Sequence, residues 1–350
     1  MRDMPQRLAD RSVFVAGAGG FIGARICAAL SREGARVIAL SRSGRAERLS
    51  GIATLEIVRG DLLKPKTLAA ALSEGVDVVN AAYDFLLDEG AQRQAFDNLL
   101  AAAAHARAKR FVQLSSIAVY DDWPNGALTE DSPADGPGSP YKALKREFER
   151  KLAASGLAHV ILQPTIVYGA GGWQWTERPI EELSAGRVIL PDNPRGLCHA
   201  VHVEDVAEAA VCALTAPTGE GRYIISGAEP VEWGDLYAGY ARIIGAAAPE
   251  FQPFDAPVSA APSSPSPLAM KAKKIARRLV GEGGLAALRK TIGGLKKRGG
   301  EIVTRPDGAM LDLMRARGGC SIERARAELG YEPKIDLAEG LERIRAARGS

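Results

Sequence analysis

The chain has 350 residues, 46% of them hydrophobic and 25% charged, with 45 Lys and Arg against 42 Asp and Glu for a formal charge of +3. Such a chain buries an ordinary globular core and makes about two domains, or one large domain with a lobe; this excludes a disordered, collagen-like or disulfide-stapled protein. The charge is uneven: residues 257–300 hold ten basic side chains and one acid, Glu282, for +9, whereas the remainder has 35 basic against 41 acidic side chains, or −6.

In chain order, 13–16 reads as a buried strand and 25–32 as a helix that stops at Gly34. A second strand is expected at 37–40, a third at 55–58, a short helix at 67–73 and a fourth strand at 76–79. The alanine-rich 96–108 is helical, 110–115 is a fifth strand, 142–154 a helix and 160–162 a sixth strand. Apolar strands alternating with helices of this length imply parallel βαβ units and a sheet covered on both faces. The expected fold is therefore α/β, a doubly wound parallel sheet binding its ligand at the carboxyl ends of the strands. Past about residue 165 the alternation fades. A Rossmann-type core at 1–165 is thus followed by a smaller C-terminal substrate lobe, 166–350, interleaved with the core. Within it, 259–267 is a Ser/Pro-rich linker leading into two basic amphipathic stretches, Leu268–Ala272–Ile275–Leu279 and Leu285–Leu288–Ile292–Leu295.

Four motifs carry chemistry. Gly17-Ala18-Gly19-Gly20-Phe21-Ile22-Gly23 follows a strand and opens a helix. Glycines there let a pyrophosphate approach backbone N–H groups at the helix N-terminus. Ile22 breaks G-x-G-x-x-G, and the fitting pattern is G-x-x-G-x-x-G through Gly17, Gly20 and Gly23. At the end of the second strand an NAD site places an acid for the ribose 2′-hydroxyl. This chain has Ser41 and Arg42, with Arg45 close by, which suit a 2′-phosphate and favour NADP(H) over NAD(H). Tyr141 and Lys145 form Y-x-x-x-K, one helix face on which an ammonium can lower the pKa of a phenol that gives or takes a proton. Ser115 and Ser116 close the fifth strand, where a hydroxyl can meet a substrate oxygen.

Together these residues resemble the extended short-chain dehydrogenase/reductases, the NAD-dependent epimerase/dehydratase-like family. Further matches are Gly60-Asp61-Leu62, Asn80-Ala81-Ala82, Gln163-Pro164-Thr165-Ile166-Val167-Tyr168-Gly169, His202-Val203-Glu204-Asp205-Val206-Ala207 and Leu329-Gly330-Tyr331-Glu332-Pro333. The resemblance runs from about Ser12 to Ala346 and leaves out 257–300. It implies that Tyr141 is the general acid/base, that Lys145 tunes it and holds the nicotinamide ribose, and that Ser116, rather than Ser115, polarises the reacting oxygen. It assigns cofactor contacts to Gly17, Gly20, Phe21, Ile22, Gly23, Ser41, Arg42, Asp61, Leu62, Asn80, Ala81, Ala82, Tyr141, Lys145, Pro164 and Val167. Gln163 departs from the Arg frequent in the family.

Ile117-Ala118 follows Ser116 where sugar-nucleotide dehydratases carry Asp-Glu, so dehydration is disfavoured. An NADP(H)-dependent ketoreductase acting on a small-molecule carbonyl or secondary alcohol is the favoured reading. A nucleotide-sugar epimerase with retained cofactor, and a non-catalytic NADPH sensor, are the alternatives. Tyr83, Ser116, Trp123, Trp173 and Arg195 are the candidate substrate contacts, and Trp175 joins the tryptophans near the presumed cleft. His199 and His202 lack an acid or Cys at ligand spacing, so no metal is expected. Cys27, Cys198, Cys212 and Cys320 form no C-x-x-C pair and are expected as reduced thiols. Residues 1–11 lack an apolar signal region, and no run approaches the ~18 apolar residues that span a bilayer. A cytoplasmic protein is expected, paired as a homodimer by resemblance. The basic 257–300 is compatible with a solvated flap, with an anionic or carrier-linked substrate, or with peripheral contact to an acidic membrane. Without aromatics it does not suit nucleic acid.

Overall fold

The structure is a computed structural model. It describes residues 6–254 and 302–349, apart from 45–46, 194, 218 and 307. The basic stretch 257–300, and Arg45 beside the second strand, lie outside the described residues.

The chain divides into two units. Unit 1 comprises Met1–Gly172, His199–Pro230 and Gly318–Ile344, and unit 2 comprises Trp173–Cys198, Val231–Arg317 and Arg345–Ser350. The expected boundary at 165 thus falls inside unit 1, which also takes back two later stretches. The reason is local. Ile166–Tyr168 pairs in parallel with Ala200–His202, and Gly221–Ile225 pairs in parallel with His159–Pro164.

Unit 1 is built on β1 (Ser12–Ala16), α1 (Phe21–Arg32), β2 (Arg36–Ser41), β3 (Leu55–Arg59), α2 (Pro65–Ala69), β4 (Asp77–Asn80), α3 (Glu89–His105), β5 (Phe111–Leu114) and α4 (Pro140–Ala153). His159–Pro164 and Gly221–Ile225 complete a seven-stranded parallel sheet in the order Gly221–Ile225, His159–Pro164, β5, β4, β1, β2, β3. The strand side chains alternate between two cores. Val13, Val15, Val37, Ala39, Val112, Leu114, Val160 and Leu162 pack on the face of α1 and the helix Val203–Thr215. Phe14, Ala16, Ile38, Leu40, Phe111 and Ile161 pack on the face of α3 and α4, with Leu99, Phe148 and Leu152. Period-two alternation between two apolar faces is what a doubly wound sheet requires. Removing one such side chain, as in Phe14→Ala, costs about 3–5 kcal/mol through the cavity it leaves.

Helix starts differ from the sequence reading for identifiable reasons. α1 begins at Phe21 rather than 25, because Gly20 serves as N-cap although the glycines read as a turn. α3 begins at Glu89 rather than 96, since the Asp88 side chain caps it by accepting from the Ala91 N–H at 2.8 Å. α4 begins at Pro140, with Ser139 accepting from the Lys142 N–H at 3.3 Å. A serine cap followed by proline at the first helical position is the expected start signal.

Unit 2 holds a three-stranded parallel sheet in the order Glu250–Gln252, Gly186–Pro191, Ile302–Thr304. Its helix Trp233–Ile244 opens on a reciprocal cap between Glu232 and Asp235, and ends at Gly245 with φ +67°. Among the described residues, no helix is long and apolar enough to cross a membrane.

Candidate functional site

The glycine loop between β1 and α1 is a backbone cradle. Gly17 has φ +78°, and a Cβ there would stand 2.7 Å from the Ala81 carbonyl and the Ala82 nitrogen. A Cβ on Gly23 would meet the Gly17 oxygen at 2.1 Å, so the helix can approach the loop only without a side chain. Gly20 caps α1 with no side chain of its own, leaving the first N–H groups facing the loop. Phe21 lies against Gly172, and Ile22 packs on the core. This arrangement fits the pyrophosphate of a dinucleotide, whose charge suits the helix N-terminus.

The other expected cofactor residues line the same carboxyl edge of the sheet. Ala81 N–H bonds the Ala16 carbonyl at 3.0 Å, which sets the β4 turn beside the glycine loop. Asn80 is buried, donating to the Gln113 side chain at 2.9 Å and accepting from Ala82 N–H at 3.1 Å. Gly60 N–H reaches the Ser41 carbonyl at 3.0 Å, so Asp61 and Leu62 stand next to the end of β2. The Asp61 carboxylate accepts from Leu63 N–H at 3.0 Å, and Leu62 packs on the α3–α4 core. Arg42 is 59% exposed and reaches the Asp84 carboxylate at 3.2 Å. Pro164 is buried at its strand end and Val167 is partly buried against the core.

Ser116, Tyr141 and Lys145 come together. The Ser116 hydroxyl, which accepts from Ala118 N–H at 3.2 Å, is near enough to the Tyr141 phenol to lower its pKa. Lys145 is 4% exposed, donates to the Leu114 carbonyl at 2.8 Å, and stands 5.7 Å from the Tyr141 ring centre and 5.0 Å from that of Tyr83. Ser115 points elsewhere and donates to the Glu149 carboxylate. Two cations of α4 hold the loop that follows β5. Lys142 donates to the Tyr120 carbonyl at 3.0 Å, and Arg146 donates to the Val119 carbonyl at 2.7 Å and to Asp121.

Burial dominates the electrostatics. It pulls the Lys145 ammonium down to about 8, against a smaller upward pull from Glu149. It pushes the Tyr141 phenol up, with the Ser116 hydroxyl opposing. The depression of that phenol expected from Lys145 is therefore reversed: the cost of ionising in a desolvated site outweighs the lowering by the Ser116 hydroxyl. Tyr83, edge-on to Tyr141 at 5.0 Å, is likewise pushed up to about 12 by burial.

The proposed substrate contacts are scattered. Trp123 packs against the core and lies edge-on to His199 at 6.1 Å. Trp173, 40% exposed, and Arg195 belong to unit 2, as does Trp175, which packs 5.5 Å from Trp233. Arg195 pairs with Asp192 at 2.7 Å and lies over the Phe251 ring at 3.9 Å, so its charge is already engaged. His202 is buried and accepts from Glu204 N–H at 3.3 Å through Nδ1, which makes it a helix cap. A cavity of about 670 Å³ in unit 1 is lined by Arg146, Glu149, Arg150 and Arg222 rather than by Tyr141 or the glycine loop.

Two neighbours of the site escape the sequence reading. Glu149 is buried, and its carboxylate gathers Ser115 and the Gln163 amide. Its signal was its position four residues past Lys145, on the same helix face. Phe85, 74% exposed, is stacked 6.1 Å from Tyr141. A lone loop aromatic has no periodicity to reveal it.

Comparison with known proteins agrees with this geometry. The chain is 28% identical to the 2-alkyl-3-oxoalkanoate reductase of Stenotrophomonas maltophilia over 96% of its length and 98% of the relative's. It is 26% identical to the 4-hydroxy-2-methyl-3-oxo-4-farnesyl-3,4-dihydroquinoline-1-oxide ketoreductase of Stigmatella aurantiaca, covering 95% and 96%. Its fold matches that of an epimerase from Methanothermobacter thermautotrophicus, with a TM-score of 0.73 and 17% identity over 97% of this chain and 93% of the other. The family model described as NAD dependent epimerase/dehydratase matches residues 13–226, and the chain belongs to that family.

Proposed function

We propose that this protein is an NADP(H)-dependent ketoreductase, interconverting a carbonyl and a secondary alcohol on a small molecule. The observation that carries it is the buried Lys145, held by the Leu114 carbonyl at 2.8 Å and 5.7 Å from the centre of the Tyr141 ring, with the Ser116 hydroxyl acting on the same phenol. The reductase and ketoreductase names of the two relatives support the reaction class. The absence of an acid at Ser41, with Arg42 next to it, supports the phosphorylated cofactor.

The glycine loop and Asp61 would hold the dinucleotide, and Lys145 would bind its nicotinamide ribose. When bound, the nicotinamide supplies the hydride for the carbonyl carbon. The chain's own part is the proton. A phenol held up by burial is protonated at neutral pH and donates from Oη to the carbonyl oxygen as negative charge develops there. Ser116 donates a second hydrogen bond to the same oxygen and fixes its direction. Lys145 stabilises the resulting phenolate until solvent returns its proton. Ile117 and Ala118 add no further acid or base.

The decisive experiment is mass spectrometry of ligands carried through purification, paired with a carbonyl panel assayed with NADPH and NADH. An exchangeable NADP(H) and NADPH-dependent reduction are the expected result. Tightly retained NAD accompanied by a sugar nucleotide would replace this reading with an epimerase.

A further inference from the structure

Among the described residues, Phe85 is the most exposed large apolar side chain, at 74%. Its exposure does not come from a loose loop. Leu87 N–H bonds the Asp84 carbonyl at 2.9 Å, Leu86 N–H bonds the Asp84 carboxylate at 3.0 Å, and Gln92 donates to the Asp84 carbonyl at 2.6 Å. The turn after β4 is thereby pinned, and it holds the ring out into solvent.

The ring is also placed. It meets Tyr83 edge-on at 4.8 Å and lies nearly parallel to Tyr141, at 18° and 6.1 Å between centres. An exposed aromatic face is common on protein surfaces. One stacked beside the tyrosine that carries the reacting proton is not a random position. The charges around it come in both signs: Asp84 of the same turn is paired with Arg42, Glu89 raises the Tyr83 phenol, and the Lys145 ammonium stands 5.0 Å from the Tyr83 ring centre.

We infer that Phe85 is a specificity-determining residue, forming an apolar rest for an uncharged alkyl or aryl substituent attached within a few bonds of the reacting carbonyl. The inference rests on the ketoreductase reading of Tyr141 and deepens it: the substrate class is a ketone with an extended apolar substituent. Covering the ring and the substituent together removes apolar surface from water, at about a three- to fourfold gain in affinity per methylene.

The test uses the full chain, its preferred nicotinamide nucleotide and straight-chain methyl ketones from butan-2-one to decan-2-one. In the unmodified protein kcat/KM is expected to rise with each added methylene. In Phe85→Ala the loss should grow with chain length, reaching about tenfold or more at the longest ketone, and Phe85→Leu should restore part of the slope. A loss equal at every length, or no loss, overturns the inference. A second arm needs no turnover: calorimetric binding of decanamide to the cofactor complex of each protein. Weaker binding to Phe85→Ala supports the apolar rest even where no ketone is reduced, which would then count against the ketoreductase reading alone. Equal binding overturns the role of Phe85.

Discussion

The Gln163 amide donates to the buried Glu149 carboxylate at 2.9 Å, and the same carboxylate oxygen accepts the Ser115 hydroxyl. Gln163 in turn accepts from the Tyr120 hydroxyl at 2.6 Å. Glu149 therefore ties α4, which carries Tyr141 and Lys145, to the end of β5, which carries Ser116. Here the carboxylate has hydrogen bonds but no guanidinium among its direct partners.

Gln163→Leu removes one donor to Glu149 and the acceptor of Tyr120. Glu149 keeps the Ser115 hydroxyl, whereas the buried Tyr120 hydroxyl is left without a partner, so a loss of about 1–3 kcal/mol is expected in urea unfolding at pH 7. Burial raises the acid pKa of Glu149. An acid that holds its proton longer when folded contributes stability that is full below its unfolded value and lost as pH rises through the folded one. Glu149→Gln, which removes that titration, should gain on the unmodified protein as pH is raised from 4 to 8. A constant difference across that range would show that Glu149 has the same pKa in the folded and unfolded chains.

Tyr141→Phe keeps the ring that stacks on Phe85 and Tyr83 but removes the proton donor. Turnover should fall by about 10²–10⁴-fold, the usual worth of a positioned acid, with NADPH affinity within a few fold. Retained turnover would move the proton donor to another group.

The pH profile follows from Lys145, whose ammonium burial brings down to about 8. Above that pH the free enzyme loses the charge that stabilises a Tyr141 phenolate. Ketone reduction, read as kcat/KM, should fall above pH about 8. Lys145→Arg keeps its charge to higher pH and should carry the fall upward if it is still active. Lys145→Met should be slow at every pH, and its stopped-flow NADPH binding reports whether the ribose contact is lost with it.

Cofactor choice is expected to turn on Ser41 and Arg42. An exposed ion pair such as that of Arg42 with Asp84 is worth about 0–1 kcal/mol, so a 2′-phosphate can draw the guanidinium away at little cost. Ser41→Asp places a like charge beside that phosphate and should shift the NADPH to NADH ratio of kcat/KM by tenfold or more toward NADH. An unchanged ratio would mean that the 2′ end is read elsewhere.

The first half of unit 1 was legible in the sequence because its strands are apolar runs of four to six residues and its turns carry glycine. The strand Gly221–Ile225 was not. It is a short run whose partner, His159–Pro164, lies far off in sequence, so only pairing defines it. Ser116, Tyr141 and Lys145 were legible as a motif. The sign of the Tyr141 shift was not, because motif spacing brings an ammonium near but says nothing of how deeply the phenol is buried. Glu149 and Phe85 depend on three-dimensional neighbours, a buried polar cluster in one case and a pinned turn in the other.

His202 gives a stability prediction independent of the chemistry. It is 3% exposed, and burial lowers its pKa from 6.5 to about 4. Its Nδ1 caps the helix Val203–Thr215 by accepting from Glu204 N–H, which requires the neutral ring. Between pH 6.5 and 4 the unfolded chain takes up a proton that the folded chain refuses, so stability falls as pH falls through that window. The shift sets an upper limit of about 3 kcal/mol on the effect. His202→Asn keeps a side-chain oxygen able to cap and removes the titration. Its unfolding free energy should therefore change less between pH 7 and 4 than that of the unmodified protein, although its value at pH 7 is lower. Parallel pH curves for the two proteins would mean that another buried group sets the acid limb.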